Sequence, residues 1–233
     1  MNTAIIAAAG MGARMASDRP KQFLLLAGTP IIFHTLKPFE QCDSIQEVIV
    51  VLPPEESAAF LALAGKHGLR KLSRVVAGGT TRADSVKRGL NAIRSASAGI
   101  VAVHDGVRPF VTAEQIDRVV AAAEANGAAI LVAPVTDTIK QVSGDSVVKT
   151  LERQELRRAL TPQCFRYDLL RKAYEQADVN DPALTDESAL VERIGARVTT
   201  VTGNASNIKI TTPEDLLLAE ALLNSDDTDW DRN

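Results

Sequence analysis

The sequence is poor in cysteine, in aromatic residues and in net positive charge. Of its 233 residues, two are cysteine and 4% are aromatic, and the formal net charge at pH 7 is −3. Cys42 and Cys164 are far apart, which favours neither a disulfide framework nor a metal cluster and is typical of small buried residues in a reducing compartment. A net negative charge provides no overall positive field for a polyanion, so nucleic acid is not an expected partner. Any anion site must therefore be local.

Long apolar runs are absent as well. No run approaches the ~18 apolar residues that a membrane-spanning helix needs, so no membrane partner is expected. The stretch MNTAIIAAAGMG lacks a basic start and has only a short apolar segment, which indicates a buried first strand and not a signal peptide. With 45% hydrophobic residues, the chain is expected to form a single cytoplasmic domain over residues 1–224, followed by an acidic, disordered tail over 225–233.

Six short apolar runs alternate with helical patterns. The runs are TAIIAAA, EVIVVLP, RVVAGG, GIVAVHD, AAILVAPV and RVTTVTG, and their near-continuous apolar character is typical of strands buried on both faces of a parallel sheet. One helix is predicted to begin at Thr112, which is spaced with Gln115 as a capping box, and to end at Gly127. The alternation predicts an α/β fold with a doubly wound, mostly parallel sheet and with ligands at the carboxyl ends of the strands.

One segment departs from this alternation. Residues 137–163 contain a candidate hairpin around residues 143–145, followed by a basic stretch that contains Arg153 and Arg158. We expect this segment to leave the core as a protruding β-arm, at about residues 137–160, that packs on a second subunit.

The stretch AAAGMGARMASDRPKQFL directly follows the first predicted strand. Gly10 and Gly12 suit a turn whose backbone N–H groups point at phosphate oxygens, and Arg14 and Lys21 add two cations. The third glycine of a dinucleotide fingerprint and the Gly-Lys-Ser/Thr ending of a Walker A loop are both missing, so neither motif fits. The stretch favours a cradle for a triphosphate, with a solvent-exposed basic loop as the alternative.

Three further stretches carry candidate ligands. In VHDGVRPF, Asp105 stands at the carboxyl end of a predicted strand, where a carboxylate can meet Mg²⁺ and phosphates, or can cap backbone amides of a turn. Arg108, in the same stretch, can hold a second anion. In AGGTTRADSV, Gly79 and Ser85 suit either the second wall of a nucleotide pocket or an ordinary strand–helix turn. In NASNIKITTPEDL, Lys209 either reaches water or meets an anion, because a buried unpaired amine is costly.

Taken in order, these stretches resemble the 2-C-methyl-D-erythritol 4-phosphate cytidylyltransferases of the non-mevalonate isoprenoid pathway. The resemblance spans about residues 3–224 and rests on AAGMGARM…PKQF, GGTTRADSV, HDGVRPF, APVTDTIK, LTPQ, TDESALVE and NIKITTPEDL. It implies a Rossmann-like nucleotidyltransferase fold and the transfer of the CMP moiety of CTP to methylerythritol phosphate, with release of pyrophosphate. It also implies Mg²⁺ or another divalent cation as cofactor.

The resemblance assigns roles to individual residues of this chain. The implied catalytic residues are Arg14, Lys21 and Lys209. The implied nucleotide-binding residues are Ala8, Ala9, Gly10, Gly12, Gly79, Ala83 and Ser85. The implied substrate-binding residues are Asp105, Arg108, Thr138, Arg153, Thr161 and Thr185, with Asp105 also beside the metal. Arg153 would reach the substrate of a neighbouring subunit, so a homodimer through the 137–160 arm is implied.

Two other functions stay open at this point. A ribitol 5-phosphate cytidylyltransferase would share these motifs and use a different acceptor. A nucleotide-binding module without turnover would bind CTP and release no pyrophosphate, although the joint presence of Lys21, Asp105 and Lys209 argues against it. Thr80 departs from the family pattern, which often has an acidic residue directly after the glycine pair.

Overall fold

The computed structural model of the chain describes residue 15 and residues 1–10, 19–94 and 99–225. Its strands are β1 (Thr3–Ala7), β2 (Leu25–Leu26), β3 (Thr29–Pro30), β4 (Glu47–Leu52), β5 (Leu72–Ala77), β6 (Ile100–Asp105), β7 (Ala128–Pro134), β8 (Lys140–Ser143), β9 (Ser146–Thr150), β10 (Arg157–Arg166) and β11 (Thr199–Thr202). Its helices are α1 (Ile31–Gln41), α2 (Ser57–Ala64), α3 (Arg82–Asn91), α4 (Ala113–Asn126), α5 (Tyr167–Gln176), α6 (Glu187–Arg193) and α7 (Pro213–Ser225). None of these described helices combines the length and the apolar character that crossing a bilayer requires. Of the predicted tail, residues 226–233 lie outside the described residues.

Seven strands form the central sheet, in the order β11-β7-β10-β6-β1-β4-β5. β1 pairs in parallel with β4 and β6, β4 with β5, and β7 with β11, whereas β10 runs antiparallel between β6 and β7. The predicted α/β fold with a mostly parallel sheet is therefore confirmed, and all six apolar runs contain strands of it. The chain adds β4 and β5 on one side of β1 and then β6 on the other side. Such a reversal of strand order is where open α/β sheets bind ligands.

The predicted arm and the sheet overlap at the carboxyl end of the arm. The expected arm at residues 137–160 overlaps β10, which begins at Arg157 and lies inside the sheet. The ladder between β10 and β7 is irregular between Ala159 and Gln163, and Pro162 in this interval cannot donate a ladder hydrogen bond. These features obscure the strand pattern in the sequence. What leaves the core is the hairpin of β8 and β9, which is exposed along its whole length.

Alternate residues of the buried strands pack into two apolar layers, one on each face of the sheet. On β1, Ala4 and Ile6 belong to the layer that contains residues of α1, α2 and α4. Ile5 points to the opposite layer, with residues of α3, α5 and α6. Cys42 and Cys164 are both free and buried, as predicted from the composition. This two-sided burial is why the strands have near-continuous apolar sequences.

Helix α4 has the boundaries that its sequence predicts. The Thr112 hydroxyl oxygen accepts a hydrogen bond from the backbone N–H of Gln115 at 3.2 Å, and the helix ends before Gly127, whose φ is +90°. The threonine satisfies one of the N–H groups that the first helical turn leaves without an intrahelical partner.

We expect Thr112→Ala to lower the free energy of unfolding by about 1 kcal/mol, because it removes this cap. Denaturant-induced unfolding followed by circular dichroism measures the effect. Thr112→Ser keeps the hydroxyl and is the matched control, which should lose much less stability. Equal losses in the two variants would show that the hydroxyl is not the stabilising group.

Candidate active site

Two adjoining cavities lie at the carboxyl ends of β1 and β6. The larger has a volume of about 360 Å³ and the smaller about 130 Å³. The two strands end side by side, since Ala7 is the register partner of Asp105. Arg82, Asp105 and Lys209 line both cavities and therefore form their common wall.

Asp105 is the centre of a cluster of charges in this wall. Asp105 is only 5% exposed, and its carboxylate faces three cationic side chains. Oδ1 accepts a hydrogen bond from Nε of Arg82 at 3.0 Å. Oδ2 lies 3.2 Å from Nε of Arg108 and 3.0 Å from Nζ of Lys209. The three cations come from the start of α3, from the turn after β6 and from the segment before α7, so the tertiary fold assembles the cluster.

The ionisation of Asp105 follows from these contacts. Burial alone would raise the pKa of its carboxyl group, because a low-dielectric environment disfavours the charged form. The positive charges of Arg82, Lys209 and Arg108 outweigh burial and hold the pKa well below its usual range. Asp105 is therefore ionised throughout the physiological pH range, and its negative charge keeps the cations in place.

Arg82 connects Asp105 to a second buried carboxylate. It is the first residue of α3, and its Nη1 donates to both carboxylate oxygens of Glu187, at 2.8 and 2.9 Å. Glu187 is 1% exposed and begins α6, while the hydroxyl of Tyr174 on α5 donates to its Oε1 at 3.0 Å. Burial and the neighbouring Glu187 raise the pKa of Tyr174, so the phenol stays protonated and can donate. A continuous chain of polar contacts thus runs from the interior to the cavities.

His104 and Thr161 form a neutral contact beneath the smaller cavity. The imidazole is fully buried, and burial lowers the pKa of His104 to about 4. Nε2 lies 3.1 Å from the carbonyl oxygen of Arg108, which can only accept, so Nε2 must carry the proton. Nδ1 then accepts from the Thr161 hydroxyl at 2.9 Å, and Oγ1 of Thr161 in turn accepts from the backbone N–H of Asp105 at 3.2 Å. These bonds fix the orientation of Thr161.

The turn between β5 and α3 forms one wall of the larger cavity. Oγ of Ser85 accepts from the backbone N–H of Gly79 at 3.0 Å and donates to the carbonyl oxygen of Thr81 at 2.9 Å. A Cβ atom on Gly78 would lie 2.2 Å from Cβ of Ala9, so only glycine allows this turn to approach the loop after β1 so closely. Gly78 is therefore required by the close packing of this turn against Ala9.

Two neighbouring residues that sequence reasoning did not single out also hold the site together. Gln22 is 1% exposed, lines the larger cavity and donates from Nε2 to the carbonyl oxygen of Ala8 at 2.6 Å. Asn207 is fully buried and donates from Nδ2 to the carbonyl oxygen of Thr161 at 2.8 Å. Arg82 and Glu187 were missed in the same way. All four lie inside quoted motifs, but nothing in the sequence indicates which polar atoms meet.

The structure brings most of the predicted site residues together and leaves some apart. Those that line the larger cavity are Ala8, Ala9, Gly10, Lys21, Gly79, Ser85, Asp105 and Lys209. Those that line the smaller cavity are Asp105, Arg108, Thr161, Thr185 and Lys209. Ala83 is packed in the apolar layer under α3, and Thr138 and Arg153 lie beside the hairpin of β8 and β9, away from both linings. Gly12 and Arg14 lie outside the described residues.

Known proteins are similar to this chain in both sequence and architecture. Residues 2–225 match the family of 2-C-methyl-D-erythritol 4-phosphate cytidylyltransferases. A relative of that name from Pelotomaculum thermopropionicum is 45% identical over 222 residues, which cover 94% of this chain and 93% of the relative. A relative of the same name from Bacillus cytotoxicus is 45% identical, and the match covers 96% of this chain and 98% of the relative.

Solved structures give the same result for the fold. A crystal structure of 4-diphosphocytidyl-2C-methyl-D-erythritol synthase from Anaerococcus prevotii is similar with a TM-score of 0.85 at 32% identity, covering 96% of each chain. The structure of 2-C-methyl-D-erythritol 4-phosphate cytidylyltransferase from Thermus thermophilus is similar with a TM-score of 0.77 at 37% identity, covering 95% of this chain and 98% of that one.

Proposed function

Because the chain belongs to the 2-C-methyl-D-erythritol 4-phosphate cytidylyltransferase family, we propose that it transfers the CMP moiety of CTP to 2-C-methyl-D-erythritol 4-phosphate. The observation that supports this most directly is the pair of adjoining cavities with Arg82, Asp105 and Lys209 in their common wall. Two anionic substrates, one on each side of shared cations, would have their phosphates next to each other. Such an arrangement converts an encounter of two anions into a reaction between aligned groups.

The reaction exchanges one phosphorus–oxygen bond for another. A phosphate oxygen of methylerythritol phosphate attacks the α-phosphorus of CTP and forms a new bond. The bond between the α-phosphorus and the oxygen that bridges to the β-phosphate breaks, and that oxygen keeps the electron pair and leaves with pyrophosphate. The nucleophile is already an anion, so no general base is needed. The protein therefore acts chiefly by aligning the groups and stabilising the charge that develops on pyrophosphate.

We assign CTP to the larger cavity. The predicted nucleotide-binding residues that line it are Ala8, Ala9, Gly10, Gly79 and Ser85. Lys21 and Lys209 line the same cavity, and we assign their ammonium groups to the triphosphate and to the charge that grows in the transition state. Arg14 and Gly12 keep their predicted places in the phosphate cradle as part of this proposal.

We assign methylerythritol phosphate to the smaller cavity. Arg108, Thr161 and Thr185 line it, and they supply one cation and two hydroxyl groups. Arg108 is held between Asp105 and the carbonyl oxygen of Asn207, which accepts from Nη1 at 2.9 Å. A cation fixed in this way is suited to orient a phosphate.

A divalent cation such as Mg²⁺ fits the junction of the two cavities. Mg²⁺ in nucleotide sites is usually held by one or two carboxylates together with phosphates of the substrate. Asp105 supplies the single carboxylate in the described lining of the larger cavity, and no described group of three or more His, Cys, Asp or Glu residues could hold a metal alone. Asp105 would therefore hold the ion together with CTP. When bound, Mg²⁺ neutralises charge on the phosphate groups.

The two arm residues, Thr138 and Arg153, belong in this proposal to the site of a second copy of the chain. Nη1 of Arg153 donates to the carbonyl oxygen of Thr136 at 2.9 Å, and the residue is exposed. On the neighbouring hairpin, Val142, Val147 and Val148 are 60%, 61% and 58% exposed. Adjacent exposed apolar side chains are typical of protein–protein contacts, which supports a homodimer through this hairpin.

The proposed reaction is tested with CTP, Mg²⁺ and methylerythritol phosphate, and pyrophosphate release is the measurement. We expect pyrophosphate in the complete mixture and none with CTP alone. A parallel mixture with ribitol 5-phosphate identifies the acceptor, since release with that compound only would assign the chain to the other reaction. CTP binding by calorimetry without pyrophosphate from either acceptor would indicate a non-catalytic nucleotide-binding protein.

We expect Lys21→Ala and Lys209→Ala each to lower kcat by ~10²-fold or more, because each removes one preorganised cation from the charge that develops in the transition state. Steady-state pyrophosphate release measures kcat, and thermal unfolding monitors the fold. Lys66→Ala, on an exposed residue that lines neither cavity, is the matched control and should behave as wild type. Turnover at the control level in either variant would remove that lysine from the catalytic residues.

Mixed dimers test whether Arg153 serves the partner's site. We expect Arg153→Ala and Lys21→Ala homodimers each to be strongly impaired. A heterodimer of the two variants contains one site with an intact Lys21 and an intact Arg153 from the other subunit, so about half of the wild-type activity should return if sites are independent. Purified heterodimers that stay as inactive as the two homodimers would place Arg153 in its own subunit's site. A fully active Arg153→Ala homodimer would place it outside any site.

A further inference from the structure

Arg82 occupies a position between two buried carboxylates that its sequence motif does not explain. Its Nε binds Asp105 in the wall of the cavities, and its Nη1 binds Glu187, which lines neither cavity. Asp105 and Glu187 are 5% and 1% exposed. A buried carboxylate without a partner is costly, so the single guanidinium satisfies two groups that come from different parts of the chain.

The contacts of Arg82 connect the buried residues Tyr174 and Glu187 to the common wall of the two cavities. Tyr174 on α5 donates to Glu187 at the start of α6, and Glu187 holds Arg82 at the start of α3. Arg82 then binds Oδ1 of Asp105, which leaves Oδ2 to face Arg108 and Lys209. The planar guanidinium is well suited to this task, because its donors have fixed directions, whereas an ammonium group is a point charge on a flexible stem.

We propose that Arg82, oriented by Glu187 and Tyr174, is a positioning residue for the transfer reaction and acts by holding Asp105 so that Lys209 and Arg108 point at the reacting phosphates. The proposal rests on the transfer reaction proposed above. Lys209, which lines both cavities, and Arg108, which lines the smaller one, share one oxygen of Asp105, so a rotation of the carboxylate displaces both cations.

The charges in the cluster explain why the position of Asp105 matters during the reaction. Asp105 and Glu187 are two anions among the three cations Arg82, Arg108 and Lys209. When the phosphates arrive, they compete with Asp105 for Lys209 and Arg108. Arg82 stays with the two carboxylates, since its partners are protein groups that the substrates do not replace. It therefore keeps Asp105 in place while the other two cations change partners.

The test compares kcat and KM in variants that disturb the bridge. Arg82→Lys keeps the charge and loses the planar fork, and Glu187→Gln keeps the size and loses the charge that orients Arg82. We expect kcat to fall by about 10- to 100-fold in both, the loss typical of reacting groups that are misplaced by up to 1 Å. KM for CTP should change by a small factor only, because the loop and turn that line the larger cavity are intact.

An ion pair elsewhere in the molecule, between Arg74 and Glu47, provides the matched control. Glu47 is buried on β4, accepts from Thr3 and Ser73 hydroxyls, and pairs with Arg74 at 3.3 Å. Neither residue of the pair lines a cavity. Arg74→Lys and Glu47→Gln should lower thermal stability as the Arg82 and Glu187 variants do, yet leave kcat per folded molecule unchanged.

Tyr174→Phe keeps the test valid if the charge variants do not fold. It removes one hydroxyl group from the buried end of the chain of contacts and should lower kcat by a few-fold, in line with the loss of one hydrogen bond. Arg82→Gln, which has neither the charge nor the fork, should be less active than Arg82→Lys.

The outcomes separate the two proposals. Wild-type protein that releases no pyrophosphate with methylerythritol phosphate would overturn the transfer reaction itself. An active wild type together with unchanged kcat in folded Arg82→Lys, Glu187→Gln and Tyr174→Phe would overturn the positioning role only. A loss of kcat of equal size in the Glu47 and Arg74 variants would also overturn it, because a general effect of destabilisation would then explain the data.

Discussion

The burial of Asp105 is the constraint on which the rest of the site depends. The carboxylate of a residue that is 5% exposed must be paired, and two of its three partners, Arg82 and Lys209, are distant in the sequence. Folding thus cannot bury Asp105 without also collecting Arg82, Arg108 and Lys209 at the ends of β1 and β6. The cations that we assign to the two phosphorylated substrates are already in place in the folded chain, and such preorganisation makes electrostatic catalysis effective.

The topology of the sheet gives this cluster its location. β1 and β6 are parallel neighbours whose last residues are register partners, and the strand order reverses beside β1. The antiparallel strand β10 then brings Thr161 to the same edge, where its hydroxyl joins the backbone of Asp105 to the neutral imidazole of His104. Neighbouring strands of the sheet thus place the charged Asp105 and the neutral hydroxyl group of Thr161 at the same edge.

The sequence predicted the parts of this arrangement that depend on local pattern. Buried strands are visible as apolar runs, and a helix start such as Thr112 is visible from its spacing to Gln115. β10 was missed because its pairing is irregular and contains Pro162, and its sheet position is fixed by neighbours on both sides instead of by its own pattern. The structure of β10 therefore depends on tertiary contacts, which a short stretch of sequence does not show.

The same distinction separates the two cavities. One wall of the larger cavity is the turn between β5 and α3, which Gly78 brings close to the loop after β1 and Ser85 fixes. The sequence predicted this wall as one of two alternatives, the other being an ordinary strand–helix turn. The common wall is made of side-chain charges, and the bridge through Arg82 and Glu187 joins residues 105 positions apart in the sequence. Which carboxylate an arginine meets at that separation depends on how α3 and α6 pack into the same apolar layer. The charge balance at the centre of the site, and with it the placement of the reacting groups, is thus a property of the folded chain.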